Sequence, residues 1–120
     1  MELGTFSVSL GVKDIEKSLD FYLKFGFEII DGGHMNEEFA DTDTDKWRIL
    51  RNGTTNIGLF QGVFDGNILT FIHTDLRPLQ AELKAAGVQF DTEADMTTTG
   101  PCSATLTDPD GNAILFDQHY

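Results

Sequence analysis

The stretch Asp14 to Gly26 is echoed by Asp75 to Gly87, 61 positions further along a chain of 120 residues. Each copy has a polar start, an amphipathic run and a stopping glycine. Asp14-Ile15 matches Asp75-Leu76, Tyr22-Leu23-Lys24 matches Leu83-Lys84-Ala85, and Gly26-Phe27 matches Gly87-Val88. A short β-like run precedes both, Phe6 to Val12 and Leu69 to His73. Two copies at this period are too few for a solenoid, so the repeat implies two fused supersecondary units of roughly 60 residues. They are expected at about 5–62 and 67–118, inside one domain spanning 1–120. A single ligand site between the halves is the natural consequence of such a duplication.

With 40% hydrophobic residues the chain is long enough to bury one core and too short for a second independent domain. Its net charge is −12, and no stretch concentrates lysine and arginine, which removes the usual source of attraction to a nucleic-acid backbone. The same field would welcome a cationic ligand. Cys102 is the lone cysteine and has no internal disulfide partner. There is no basic start with an apolar signal-like run, so a cytoplasmic location is expected. No apolar run approaches the roughly 20 residues that span a bilayer, and no membrane partner is expected.

Phe6 to Val12 alternates apolar with small or hydroxylated residues, the period of a half-buried strand. Asp14 is placed to cap a helix with apolar positions Ile15, Leu19, Tyr22 and Phe25, and Gly26 ends it. Phe27 to Ile30 reads as strand. Residues 31–46 are polar and acidic, a loop or mobile excursion that could lie over a site. Trp47–Leu50 and Asn56–Phe60 read as strands joined at Asn52-Gly53. The second half repeats the order: strand Ile68–His73, a helix capped by Asp75, strand Gln89-Phe90, an irregular stretch 91–101, and strands Ser103–Thr107 and Ala113–Asp117 around Asp108-Pro109-Asp110-Gly111-Asn112. The expectation is an α+β fold of eight strands and two helices, two βαβββ units.

The run Val12 to Tyr22 (VKDIEKSLDFY), the doubled βαβββ pattern and the Thr107 to Ile114 turn (TDPDGNAI) resemble the vicinal oxygen chelate superfamily. Its members include glyoxalase I, extradiol dioxygenases and bleomycin- and fosfomycin-resistance proteins. The resemblance implies mixed sheets wrapped around a cavity, often completed by a second subunit, and therefore a homodimer. It also implies that metal ligands would project from the first and fourth strands of each unit. Those positions here are Ser7, Gly58, Ile68 and Leu115, where metal-using relatives carry His or Glu. A hydroxyl, a glycine and two aliphatic side chains do not make a stable divalent site. No cofactor is therefore expected, and a divalent metal would have to enter through atypical ligands such as His34, Glu38, His73, Asp117 and His119.

Strand alternation places Val8, Leu10, Leu69, Phe71, Ile114 and Phe116 under the helices. The other parity, assigned to the cavity, holds Ser7, Ser9, Gly11, Gly58, Phe60, Ile68, Thr70, Ile72, Ser103, Thr105, Ala113, Leu115 and Asp117, with Trp47 nearby. Small residues leave room, aromatic rings offer flat surfaces and hydroxyls supply neutral hydrogen bonds, which suits an organic ligand with polar edges. The run Asp41 to Asp45 begins like a calcium loop but fails, with Lys46 at the glycine position and Asn52 at the bidentate glutamate position. His73 is expected to support the start of the second helix, and nothing in sequence activates Cys102, Ser7 or Ser9 as a nucleophile.

The function expected is binding or sequestration of a small organic molecule, cationic by preference, in the manner of the bleomycin-resistance type, with no catalytic residue assigned. Two alternatives stay open. One is a glyoxalase- or dioxygenase-like lyase, isomerase or oxygenase, using metal through atypical ligands or Asp117 as an acid/base group. The other is a non-catalytic interaction module whose interior is filled by its own side chains.

Overall fold

A computed structural model describes residues 1–120. It contains seven strands and two helices, arranged in chain order as β1 (Thr5–Val12), α1 (Ile15–Leu23), β2 (Glu28–Gly32), β3 (Lys46–Asn52), β4 (Thr55–Gln61), β5 (Asn67–Ile72), α2 (Leu76–Ala85), β6 (Cys102–Thr107) and β7 (Ala113–Gln118). The chain forms two compact units, Ser7–Asn67 and Met1–Phe6 with Ile68–Tyr120.

In the Ser7–Asn67 unit the strands lie in the order β2-β3-β4-β1. β1 runs parallel to β4, and the β2–β3 and β3–β4 pairs are antiparallel. Parallel pairing of β1 with β4 needs a crossover, and α1 supplies part of it. Asp14 caps α1 by accepting from the Glu16 and Lys17 N–H groups. Gly26, at φ +85°, then takes the left-handed conformation that ends the helical run. Ile15 and Leu19 pack with Leu50 and Leu59 in a small core, with Leu10, Val12, Tyr22, Phe27 and Ile57 against it.

The other unit orders its strands β5-β7-β6, with β5 parallel to β7 and β6 antiparallel to β7. Leu76 and Leu79 of α2 pack on Ala94, Ala104 and Phe116, flanked by Phe71, Leu83, Phe90, Leu106 and Ile114. Gly87, at φ +93°, ends α2 as Gly26 ends α1, so the sequence repeat is also a backbone repeat.

Four local expectations change. Gln89-Phe90 is not a strand, which leaves seven rather than eight. The Asp91 and Thr92 N–H groups both donate to the Thr105 carbonyl, giving one isolated Thr92–Thr105 bridge, and just beyond it the Gln80 side chain takes both the N–H and the carbonyl of Ala94. Side chains thus hold this stretch where a ladder would otherwise extend. Asp75 occupies the N-cap of α2 without a side-chain capping bond. Its own N–H donates to His73 Nδ1 at 2.8 Å, and the Leu76 N–H donates to Gln118 Oε1 at 2.8 Å. Leu69, expected under a helix, is 41% exposed, and Phe25, expected among the apolar positions of the first helix, lies past its end and is 57% exposed.

The glutamine bond has a counterpart: the Ile15 N–H donates to Gln61 Oε1 at 2.9 Å. Each helix therefore has its first amide held by a glutamine at the end of the strand that follows the crossover. Because Nδ1 of His73 accepts a backbone N–H, its Nε2 carries the proton and donates to the Glu2 carbonyl at 3.1 Å, which is the structural role expected of this histidine.

Candidate functional site

Register decides which side chains share a face. Across β1, β4 and β3, Ser9 lies beside Gly58, which pairs with Ile49; one step along, Gly11 lies beside Phe60, which pairs with Trp47. This face points away from the α1 core, and it is buried: Ser7, Ser9, Trp47, Ile49 and Phe60 are all under 5% exposed. Gly58 is small for a reason. A Cβ there would stand 2.7 Å from Phe60 Cε2 and 3.4 Å from Ser9 Oγ, so the missing side chain lets the Phe60 ring lean back across the sheet.

The ring of Phe60 lies nearly parallel to Trp47, with centroids 6.2 Å apart and planes 8° apart. Phe39 meets Trp47 edge-on and Phe64 meets Phe60, which extends the pair to a row of four rings. Trp47 is further fixed by its indole N–H, which donates to the Phe39 carbonyl at 2.7 Å. Against this apolar ladder, Ser7 Oγ is fully buried and has no hydrogen-bond partner. Such an orphaned hydroxyl costs free energy unless something polar reaches it.

In the second unit the corresponding parity brings Thr70, Leu115 and Thr105 into one row and Ile72, Asp117 and Ser103 into another. Thr70 is buried and its hydroxyl donates to the Ile68 carbonyl, Leu115 is buried, Ile68 and Thr105 are half-buried, and Ser103 is exposed. The Asp117 carboxylate is held by His119 Nε2 at 3.0 Å. Of the residues assigned from sequence, the structure thus groups Ser9, Trp47, Gly58 and Phe60 by register in one unit and Thr70, Ser103, Thr105, Leu115 and Asp117 in the other.

The excursion 33–46 is laced to the sheet. The Gly33 N–H donates to the Trp47 carbonyl, the Asp41 N–H to the Gly33 carbonyl, and Gln61 Nε2 to the Thr44 carbonyl. The Asp41 carboxylate sits 2.8 Å from the Arg48 guanidinium. Asn36, itself buried, caps the turn at Glu38 and Phe39. Between this excursion and the end of β4 lies a cavity of about 400 Å³, lined by Glu38, Phe39, Asp45, Lys46, Trp47 and Val63 among others. Only Trp47 of these was legible as a site residue. The signal available for the rest was a phenylalanine isolated in an acidic stretch, which a period-two reading passes over because the segment is not a strand.

No three His, Cys, Asp or Glu side chains converge in either unit. Gly58, Ile68 and Leu115 offer no donor atom from their side chains, and Ser7 offers only a hydroxyl, so these positions do not fit a divalent ion. Burial pushes the Cys102 thiol above its ordinary range, outweighing the opposite pull of Arg77. A thiol so placed is a poor nucleophile at neutral pH.

The model of the glyoxalase/bleomycin resistance protein/dioxygenase superfamily matches residues 5–116. Solved structures of similar fold include a hypothetical protein from Bacillus halodurans C-125, 17% identical, with a TM-score of 0.65 over 95% of this chain and 92% of that one. A glyoxalase/bleomycin resistance protein/dioxygenase superfamily member from Vibrio splendidus 12B01 is 18% identical, with a TM-score of 0.59 and coverage of 96% and 97%. The 2,3-dioxygenase LapB from Pseudomonas sp. KL28 is 16% identical, with a TM-score of 0.57 over 95% of this chain and 42% of its own. At these identities the likeness is one of fold. No curated protein sequence matches the chain.

Proposed function

The chain belongs to the glyoxalase/bleomycin resistance protein/dioxygenase superfamily, and from that premise we propose that it binds or sequesters a small organic molecule without a resident metal. The observation that carries this reading is the Ser7 hydroxyl, buried and without a partner on the same sheet face as the stacked Trp47 and Phe60 rings. A ligand admitted to this face would bring a polar group to that hydroxyl, four residues along β1 from the Gly11 that neighbours Phe60, and an apolar body toward the rings. Catalysis through a metal finds no support in the donor set. Neither Cys102, whose thiol is raised by burial, nor Ser7, which has no base within hydrogen-bonding reach, supports a hydrolytic or acyl-transfer reading.

The reading extends to a homodimer working in the cytoplasm. Phe21, Leu23 and Phe25 are each more than 40% exposed on and just after α1. That helix carries Glu16, Lys17 and Asp20 and is followed by Lys24, so both signs of charge are present on it. A two-fold contact that meets itself is least opposed where both signs are present.

The decisive experiment is native mass spectrometry of freshly purified protein with elemental analysis, followed by a thermal-shift screen of organic ligands. A binding protein gains about 2.7 kcal/mol of stability at a hundredfold excess of ligand over Kd. Carried-over organic mass or a ligand-dependent rise in Tm is the expected result. Stoichiometric metal, or a flat response across a broad screen, would overturn the reading.

A further inference from the structure

The cavity beside Trp47 has a wall chemistry that the buried sheet face lacks. Glu38 and Asp45 line it together with Lys46. Their neighbour Asp41 is taken up by Arg48, but no ion pair or side-chain hydrogen bond engages the Glu38 or Asp45 carboxylates. Apolar walls complete it: Phe39, half exposed, stands edge-on to Trp47, and Val63 is 46% exposed. At 400 Å³ it falls within the size range of small-molecule pockets.

The cavity is also held open by its own frame. The Trp47 indole donates to the Phe39 carbonyl, the Thr42 N–H to the Asp45 carbonyl at 2.8 Å, the Asp45 N–H to Thr42 Oγ1 at 2.9 Å, and Gln61 Nε2 to the Thr44 carbonyl at 3.1 Å. A ligand entering a wall that is already bonded into place has little ordering to impose.

We infer that this cavity binds an organic cation, an amine or quaternary ammonium with an aromatic or apolar body. Its positive charge lies toward Glu38 and Asp45, and its body lies against Phe39, Trp47 and Val63. The inference rests on the small-molecule reading above and adds the ligand's charge and the place where that charge is held. Two unpaired carboxylates in a field of net charge −12 attract a cation, and the half-exposed Phe39 ring holds one better than it holds a neutral isostere. The Lys46 ammonium, on the same cavity, opposes that attraction.

Trp47 is the only tryptophan, so its emission reports directly on this cavity. The test titrates the full chain with phenylpropylammonium and, in parallel, with the neutral phenylpropanol of the same length. Saturable change of Trp47 emission is expected with both, with the cation bound about tenfold more tightly. Glu38→Gln and Asp45→Asn, both at exposed positions where folding is not at stake, should each weaken the cation by about three- to tenfold and leave the alcohol unchanged. Lys46→Met should tighten the cation. Added salt should weaken the cation alone. Equal affinity for the two probes, unmoved by all three substitutions, overturns the cation assignment while the small-molecule reading stands. No saturable change with either probe overturns the cavity itself as a site. A flat ligand screen in the thermal-shift experiment, or stoichiometric metal, is a separate result that removes the reading on which this inference rests.

Discussion

The Ser7 hydroxyl sets up an opposition between stability and binding at a single atom. Buried without a partner, it destabilises the ligand-free chain. Ser7→Ala should therefore raise stability by roughly 1 kcal/mol, or a few degrees in Tm, because it removes an unpaired polar group and leaves only a small void. The same substitution should weaken any ligand that the hydroxyl serves. Scanning calorimetry with and without ligand checks both signs, and a loss of stability in the ligand-free protein would show that Ser7 already has a partner. The parity that singled out Ser7, Ser9, Gly58 and Phe60 was legible in the sequence because a strand alternates strictly. The cavity residues Glu38, Asp45 and Val63 were not legible, since they sit on irregular backbone where no period tells which side chains converge.

At the scale of elements, the repeat is deeper in backbone than in side-chain chemistry. Gly26 and Gly87 end their helices alike, and both helices begin with an amide held by a glutamine of the following parallel strand. The equivalence of Gln61 and Gln118 escapes a sequence reading because the two lie 57 positions apart rather than 61; the bond is made across space and not in register with the repeat. The capping aspartates differ. Asp14→Ala should cost about 1 kcal/mol, since its carboxylate accepts two helix amides. Asp75→Ala should cost less than about 0.5 kcal/mol, and Gln118→Ala about 2 kcal/mol, because a buried amide loses its acceptor. Chemical denaturation of the three variants ranks them, and an Asp75→Ala cost equal to that of Asp14→Ala would contradict the cap geometry.

The β6–β7 turn carries a pH signature. The Asp108 carboxyl is held below its usual range, first by the Asn112 side chain and then by the N–H groups of Asn112, Asp110 and Gly111. A depressed carboxyl contributes stability above its unfolded value and loses it as pH falls through the folded one. Asp108→Asn should flatten the acid limb of the stability profile below about pH 4 and leave neutral pH with the smaller change in slope.

For the whole molecule, the net charge of −12 and the aromatic shoulder on α1 oppose each other. Self-repulsion keeps copies apart at low ionic strength, and salt screens it within a Debye length of about 10 Å at 0.1 M. If α1 is the contact, sedimentation velocity should show dimer formation strengthened by salt, and Phe21→Ser with Phe25→Ser should abolish it without altering far-UV circular dichroism. A dimer that survives both substitutions would place the contact elsewhere. The order in which the chain is made adds a last consequence. The unit Ser7–Asn67 is a continuous run, complete once its last strand leaves the ribosome, whereas Met1–Phe6 belongs with Ile68–Tyr120. Phe6 packs on Phe71, and the Glu2 carbonyl accepts a hydrogen bond from His73 Nε2. Met1–Phe6 is therefore made before the whole Ser7–Asn67 unit yet finds its partners only after it, and removal of Met1–Phe6 should damage the unit built on Ile68–Tyr120 rather than the one beside it.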